Sequence, residues 1–241
     1  MTPSTFFTDS TTAIYSIAAL ARTTSTRSCF CLFFLLMAGV LAGCSVIDKP
    51  SRSTLYDFGP GALAGGLPPA SAPAPALAPL AIADIATAGG ALDNQAVLYR
   101  LGYLDAQQLR PYSQARWSMP PAQLLRQRLR ERLGQQRVVL NAREGVALNR
   151  SQNASLPLLR LELEEFSQLF SAPDASAGLV RLHATLVEIT PAGERLLAQR
   201  TVAVQRPAAT PDAAGGVRAL TAASDAAIDE LDQWLRQAAA R

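Results

Sequence analysis

An uncharged segment near the N-terminus most constrains what this chain can fold into. Residues 28–47 of the 241-residue chain carry no charged side chain, and the run 29–40 is apolar apart from one glycine. Two arginines, Arg22 and Arg27, precede the run. A basic stretch followed by a short apolar core is typical of a secretory signal, whereas a comfortable membrane-spanning helix needs about 20 apolar residues. We therefore expect residues 1–43 to be a signal peptide and the folded domain to lie beyond it.

The four residues that follow the apolar core resemble the bacterial lipobox: Leu41, Ala42, Gly43 and Cys44. The resemblance implies that a signal peptidase cuts before Cys44 and that this cysteine carries a covalent N-acyl diacylglycerol, the only non-protein group that we expect. Ser45 occupies the position at which an aspartate retains enterobacterial lipoproteins in the inner membrane, so the resemblance favours the outer membrane. The alternative is an uncleaved signal anchor, because residues 28–47 could just cross a bilayer with tilt or local thinning.

Charged and reactive side chains are sparse, and this scarcity excludes several classes of protein. Lys and Arg total 22 against 19 Asp and Glu, and the net charge of +3 is spread along the chain, which argues against nucleic-acid binding. The only histidine is His183, and there are three cysteines, so a His/Cys metal site is excluded and a Ser-His-Asp triad could use that histidine alone. A single lysine without the glycines of a phosphate loop excludes ATP hydrolysis by that route. We predict no catalytic residue, no metal site and no enzyme activity, which places a periplasmic hydrolase last among the alternatives.

Beyond the signal peptide, the sequence predicts a tether over residues 44–53 and one domain over residues 54–241. The Pro-rich stretch 59–79 predicts a loop within that domain, without regular structure. Apolar residues at alternate positions predict strands, and apolar residues at helical spacing predict helices. The expected fold is α+β, a mixed, largely antiparallel sheet of about six strands with two main helices packed on it. Strands are expected at 55–58, 80–88, 95–103, 159–164, 181–186 and 196–204, and helices at 121–133 and 217–235.

The two predicted helices carry opposite charges. Ser118, as a cap, and two prolines, Pro120 and Pro121, open the first helix, and leucines four residues apart form its buried face. Its polar side holds alternate arginines that either face solvent or bind an acidic partner or an anionic headgroup: Arg126, Arg128, Arg130 and Arg132. The apolar stripe of the last helix is expected to pack on the sheet, since its acidic polar face disfavours the alternative of a membrane-lying helix. A partner-binding helix is the other alternative, and its acids are Asp225, Asp229, Glu230 and Asp232.

Two strand positions are informative about the sheet. His183 alternates with apolar residues, so we expect an ordinary surface histidine on a polar face. Arg200 shares a strand face with Leu196 and Val202. A bulge, an edge position or a paired charge is therefore needed at Arg200.

Several segments occur in a characteristic order. After the lipobox come a strand at 96–100, the motif Arg116-Trp117-Ser118-Met119-Pro120-Pro121 before an Arg-rich helix, residues 161–168, residues 197–200 and a closing helix with Trp234 and Leu235. Together they resemble the ABC-type transport auxiliary lipoprotein family over residues 54–236. The chain departs from the family in two ways. Many members carry an acidic residue where this chain has Ser118 and Met119, and the stretch 59–79 is longer than usual.

The resemblance implies a non-catalytic accessory subunit, anchored by lipid at the periplasmic face of the outer membrane. Its partners would be an MCE-domain periplasmic protein and the permease and ATPase of an ABC transporter, which move phospholipid or another hydrophobic molecule between the two membranes. A homo-oligomer is left open. The alternative from another class is an outer-membrane assembly lipoprotein that handles lipopolysaccharide or β-barrel proteins.

Within the family motif, Arg116, Trp117, Pro120 and Pro121 either support the fold or dock a partner. We expect the fold to be the main role of Trp117, because a large ring beside a proline-opened helix can cover the start of that helix and bury apolar area. An exposed docking aromatic with a neighbouring arginine is the competing hypothesis.

Overall fold

A computed structural model of the chain describes residues 52–61, 77–152, 155–190 and 193–239. The predicted signal peptide, the lipobox with Cys44, the sorting residue Ser45 and most of the Pro-rich stretch lie outside the described residues. Arg52–Arg241 form one compact unit. Within the described ranges, no helix is long and apolar enough to cross a membrane.

Nine strands form a single sheet in the described part of the chain. The strands are β1 (Thr54–Tyr56), β2 (Leu77–Ile82), β3 (Ala86–Thr87), β4 (Ala96–Leu101), β5 (Asp105–Trp117), β6 (Arg137–Asn141), β7 (Pro157–Ala172), β8 (Ala175–Thr190) and β9 (Gly193–Pro207).

The long strand β7 organises the sheet. Along one edge it pairs antiparallel with β8, which in turn pairs antiparallel with β9. Along its other edge it meets three shorter parallel strands in succession, β2 near Leu159, β3 near Glu162 and β4 near Leu169. Strand β6 extends the sheet beyond β2, and β5 and then β1 extend it beyond β4.

The sheet is mixed, as predicted, but the expectation of about six strands is wrong. Strand β5 was not predicted because its side chains are mostly polar and exposed and it contains Pro111, so it lacks both alternation and strand-like composition. Strand β6 was missed as well, and the predicted strand 80–88 is two strands, β2 and β3. The long pairings β4–β5, β7–β8 and β8–β9 are antiparallel, whereas the shorter pairings β1–β5, β2–β6, β2–β7, β3–β7 and β4–β7 are parallel.

The Pro-rich stretch ends earlier than its composition predicts. Strand β2 begins at Leu77 and contains Pro79, so the last residues of the predicted loop are strand. The register between β2 and β6 shifts between Leu77 and Leu80. A proline fits at such an irregularity because it has no N–H to donate to the ladder.

Three helices accompany the sheet in the described ranges: α1 (Pro121–Gly134), α2 (Ala142–Gln152) and α3 (Ala213–Ala239). Two main helices were expected, and α2 is the one that was missed. The buried stripes of α1 and α3 are confirmed, and α3 lies across β7, β8 and β9. Helix α3 starts four residues earlier than predicted. It approaches β8 closely because Gly178 lacks a side chain, and a Cβ there would lie 2.5 Å from the α3 backbone at Leu220.

The two faces of the sheet bury different amounts of apolar side chain. The face under α1 and α3 holds the main core, in which Trp117 and Phe166 are at most 1% exposed. The other face holds a small cluster of four buried residues packed near α2: Ala81, Leu156, Leu158 and Val187. Neighbouring residues such as Leu158 and Leu159 contribute to different clusters because successive side chains of a strand point to opposite faces.

Candidate functional site

The alternate arginines of α1 divide between the two flanks of the helix. Residues four apart lie on the same side of a helix, so Arg128 and Arg132 share one flank and Arg126 and Arg130 share the other. Each flank borders a surface groove.

The first flank faces α3, and its arginines are paired within the chain. Arg128 Nε lies 3.0 Å from Asp225 Oδ1, and Arg132 Nη2 lies 2.8 Å from Asp229 Oδ1. A third pair continues the ladder, with Arg137 Nη2 3.4 Å from Asp232 Oδ1. The acidic partner of this flank is the chain's own last helix. Arg128 is largely buried in that contact, whereas the Arg132 side chain is 49% exposed and also faces solvent, as one of the two interpretations expected.

Burial perturbs two members of this ladder. Loss of water raises the pKa of Asp225, and Arg128 opposes the change by favouring the carboxylate. Burial lowers the pKa of the Arg137 guanidinium, and the negative charge of Asp232 opposes that change. Both directions show that the cost of desolvating these charges exceeds what their partners restore.

A groove of about 480 Å³ lies between α1 and α3 above the charge ladder. Phe58 and Ile228 line its apolar part, and Arg128 and Asp225 line its polar part. Arg128 also donates from Nη2 to the carbonyl oxygen of Phe58, which ties the loop after β1 to α1. The charges of this groove are therefore committed to holding elements of the domain together.

The second flank borders a groove of about 620 Å³ at the start of α1. Met119 and Pro120 line it together with Arg126 and Arg130. Arg126 Nη1 lies 2.5 Å from Asp84 Oδ1 at the surface, and Arg130 Nη2 donates to the carbonyl oxygen of Val139 at 3.4 Å.

The family motif at the head of α1 places its residues in different environments. Trp117 is fully buried, and its ring meets Phe58 and Phe166 edge to face at centroid distances of 5.7 and 5.6 Å. Its indole N–H has no hydrogen-bond acceptor in the described part of the chain. Arg116, the preceding residue of β5, is exposed, as expected from alternation along the strand.

The prolines of the motif begin α1, but the serine does not cap it. Pro120 is the N-cap residue and Pro121, which is buried, is the first helical residue. Ser118 lies two residues before the N-cap, where its N–H donates to the carbonyl oxygen of Tyr56 at 2.7 Å. The expectation of a serine cap is therefore wrong, and the residue joins β1 to the start of the helix through its backbone.

Two other sequence-predicted positions lie far from α1. His183 Nδ1 is 3.2 Å from Thr201 Oγ1 across the β8–β9 pairing, on the face opposite α3. Arg200 meets all three conditions that its position requires. It follows a register irregularity at Leu197, β9 pairs only with β8 among the described strands, and Arg200 Nη2 lies 2.6 Å from Glu230 Oε1.

A buried polar network under α3 was not found from the sequence. The Tyr112 hydroxyl donates to Gln168 Oε1 at 2.8 Å, and Gln168 Nε2 donates to Ser176 Oγ at 2.8 Å. Burial raises the pKa of Tyr112. Gln168 falls within the family segment 161–168 but beyond the predicted strand 159–164, and its contact with Tyr112 joins residues 56 positions apart, so no local pattern marks it.

Among the described residues, no group of three or more His, Cys, Asp and Glu side chains could hold a metal ion.

Comparison with protein families gives a match over most of the domain. A family model described as ABC-type transport auxiliary lipoprotein component matches residues 63–231. No curated protein matches the chain significantly. The matched range contains the strands from β2 onward, the groove at the start of α1 and most of α3.

Solved structures share the fold. A Xanthomonas campestris protein of the family DUF330 is 20% identical, with a TM-score of 0.55, covering 68% of this chain and 88% of that chain. An uncharacterized protein is 12% identical, with a TM-score of 0.51, covering 76% of this chain and 99% of that chain.

Proposed function

The chain belongs to the ABC-type transport auxiliary lipoprotein component family, and from this premise we propose that it is a non-catalytic accessory subunit of an ABC transport system whose periplasmic component is an MCE-domain protein. The cargo of such a system is phospholipid or another hydrophobic molecule that moves between the inner and outer membranes. The family match carries this proposal, because it covers all strands of the sheet from β2 onward, α1 and most of α3 rather than an isolated motif.

The proposed location is the periplasmic face of the outer membrane. Cys44 is the lipidated residue, with cleavage after Gly43, and Ser45 directs the mature chain outward. Several acyl chains on one cysteine anchor a protein firmly, whereas one chain anchors it only marginally. The domain then needs no spanning segment of its own to stay at the membrane.

Docking of the transporter is proposed at the head of α1. Arg116 is exposed, and its guanidinium has no partner among the described residues. Leu55, which lies opposite Arg116 in the β1–β5 pairing, is 65% exposed, and Met119 and Pro120 line the groove at the start of α1. An exposed arginine beside apolar surface is typical of residues that contribute strongly to protein interfaces, so the expected partner surface is acidic.

A binding role rather than catalysis is proposed because the charged side chains near the grooves are engaged in structure. The arginines of α1 contact carboxylates of the chain or backbone carbonyl oxygens. The single histidine contacts a threonine hydroxyl on a neighbouring strand.

Affinity purification of the full chain from detergent-solubilised membranes tests the proposal. We expect the MCE protein, permease and ATPase to co-purify, and Arg116→Glu to reduce their recovery by reversing the docking charge. Arg206→Glu is the matched control, because Arg206 is also exposed but lies at the far end of β9.

Recovery of a β-barrel or lipopolysaccharide-assembly protein in place of the three transporter subunits would overturn the proposal in favour of the assembly alternative. Metabolic fatty-acid labelling of the same preparation tests the anchor separately, since Cys44→Ala is expected to lose the label.

A further inference from the structure

An exposed apolar turn joins β4 to β5. Leu104 is 69% exposed and Tyr103 is 40% exposed, whereas most large apolar side chains of the described residues are buried. The turn is held by a hydrogen bond from the Leu104 N–H to the carbonyl oxygen of Leu101 at 2.9 Å. Two adjacent large apolar side chains are therefore presented to solvent on a backbone of defined shape.

An apolar groove of about 400 Å³ continues the turn onto β7. Tyr103 and Ala106 line it on the hairpin side, and Leu169 and Phe170 line it on the β7 side. The apolar surface at this end thus extends beyond two side chains, which is unlike the scattered single apolar residues that ordinary surfaces carry.

The turn lies at one end of the sheet. Leu101 pairs with Phe170, so the β4–β5 turn lies beside the β7–β8 turn. The chain leaves β9 at the same end, where the Ala208 N–H donates to the carbonyl oxygen of Ser176 at 2.9 Å. The two turns contribute Asp105 and Asp174 but no lysine or arginine, and the exposed Arg206 lies at this end of β9. The turns themselves therefore offer little attraction for an anionic surface.

Strand β1 has a defined direction relative to the β4–β5 turn. It runs parallel to β5 with Thr54 opposite Ala115, so β1 points away from the end of β5 at which that turn lies. From Ala115 back to Asp105, β5 covers about 33 Å at the usual rise per residue. Cys44 precedes Thr54 by the same number of residues, and a chain of that length spans at most about 33–36 Å.

We propose that the turn Gly102–Leu104 is a second membrane contact of this protein, on the same bilayer that holds the Cys44 lipid. The inference rests on the lipid anchor of the proposed function. A tether of ten residues is just long enough, when fully extended, for the Cys44 lipid and the turn to meet one bilayer surface. Leu104 inserts among the acyl chains, and Tyr103 lies at the headgroup level, where amphipathic rings are favoured. The membrane surface that the turn contacts consists of zwitterionic phospholipid, because the turns carry carboxylates and no basic side chain.

The test uses the full lipidated chain in phosphatidylcholine vesicles. Leu104→Cys receives a polarity-sensitive fluorophore, and the lipid on Cys44 leaves the new thiol as the only reactive one of the mature chain. Leu196→Cys is the matched control, because Leu196 is 57% exposed but pairs with Val187 at the opposite end of β7. Mass spectrometry verifies the lipid and the single label before measurement.

We expect the probe at position 104 to emit at shorter wavelength and to be quenched by bromine-labelled lipid severalfold more than the probe at position 196. Adding Tyr103→Ser should reduce the quenching at position 104. Equal quenching at the two positions overturns the proposal. The proposal is also overturned if the probe at position 104 is shielded from water only when the transporter subunits are present.

This result is independent of co-purification. Loss of the transporter partners with position 104 still in lipid contradicts the proposed function alone, and a water-exposed position 104 in a chain that co-purifies with the transporter contradicts the membrane contact alone.

Discussion

The two faces of the sheet are built from the same strands but are stabilised to different degrees. The face under α1 and α3 buries Trp117, Phe166 and the leucine stripes of both helices, whereas the face near α2 buries a cluster of four residues. Alternation along β7 and β8 supplies apolar side chains to both. The difference shows that the amount of apolar surface buried on each face of the sheet depends more on the helices that pack against that face than on the strands.

One ion pair from each face shows a similar contrast. The side chains of Arg137 and Asp232, on the helix side, are 7% and 13% exposed, whereas those of Arg160 and Glu194 on the other face are 47% and 46% exposed. The hydrogen bond from Arg160 lowers the pKa of Glu194, but water solvates both groups in the unfolded and folded states. Loss of the buried pair Arg137–Asp232 is therefore expected to lower the stability of the fold far more than loss of the exposed pair Arg160–Glu194.

The largest effect is expected from Trp117→Ala, which removes the largest buried ring of the helix face. Truncation of a buried tryptophan typically costs about 3–5 kcal/mol, which corresponds to a fall in Tm of about 6–20 °C for a domain of this size. Thermal and denaturant unfolding measure it.

Two controls make this prediction specific. Trp117→Phe keeps a ring against Phe58 and Phe166 while removing an unpaired N–H, so it should cost clearly less than Trp117→Ala. Leu158→Ala removes a side chain from the smaller cluster, and we expect about 2–3 kcal/mol, the low end for a buried leucine. An unchanged Tm for Trp117→Ala with lost transporter binding would instead place Trp117 in the docking surface.

A somewhat smaller effect is expected from Asp232→Ala on the helix face. The substitution leaves the Arg137 guanidinium buried without its carboxylate, which typically costs about 3 kcal/mol or more. The matched substitution on the exposed face, Glu194→Gln, should leave Tm unchanged within error. Similar losses for the two variants in urea unfolding would contradict the contrast between the faces.

The smallest effect is expected at the start of α3. Asp212 Oδ1 accepts a hydrogen bond from the Gly215 N–H at 2.7 Å and another from the Thr210 hydroxyl, and these bonds lower the pKa of Asp212. Loss of such a helix cap in Asp212→Ala should cost about 1 kcal/mol at neutral pH.

The cap also predicts a pH dependence with a definite sign. Because the pKa of Asp212 is lower in the folded chain than in the unfolded chain, its stabilising contribution is complete above about pH 4 and declines as the pH falls through the folded pKa. The stability difference between the native chain and Asp212→Ala should shrink over that range. Asp212→Asn keeps an acceptor but has no charge, so a pH-dependent difference between Asn and Ala at this position would refute the carboxylate as the source.

Local patterns predicted those elements whose two sides differ in polarity. Leu159, Leu161 and Leu163 alternate with polar residues, and the strand they predict lies at the centre of the sheet. The leucine stripe of α1 and the apolar stripe of α3 were predicted correctly for the same reason. Strand β5 was not predicted, since most of its side chains face solvent. Its pairing with β1 joins residues far apart in the chain, and its pairing with β4 is interrupted by register shifts.

The candidate site was likewise predicted from the sequence only in part. The sequence supplied the arginines of α1, the acids of α3 and the motif around Trp117, but it left open whether the charges face solvent or a partner. Their pairing across helices, about 100 residues apart in the chain, results from the packing of α1 beside α3 on the sheet.

What the sequence determined by itself is therefore whatever depends on neighbours within a few residues: the buried stripes and the side of each strand that avoids water. The signal segment and lipobox rest on the same kind of local pattern and stay predictions. The tertiary structure alone decided which charges neutralise one another, that the β4–β5 turn lies beside the β7–β8 turn, and that β7 pairs with β2, β3 and β4 in succession. Those properties depend on distances between elements far apart in the chain, and such distances are fixed only when the elements pack together and exclude water between them.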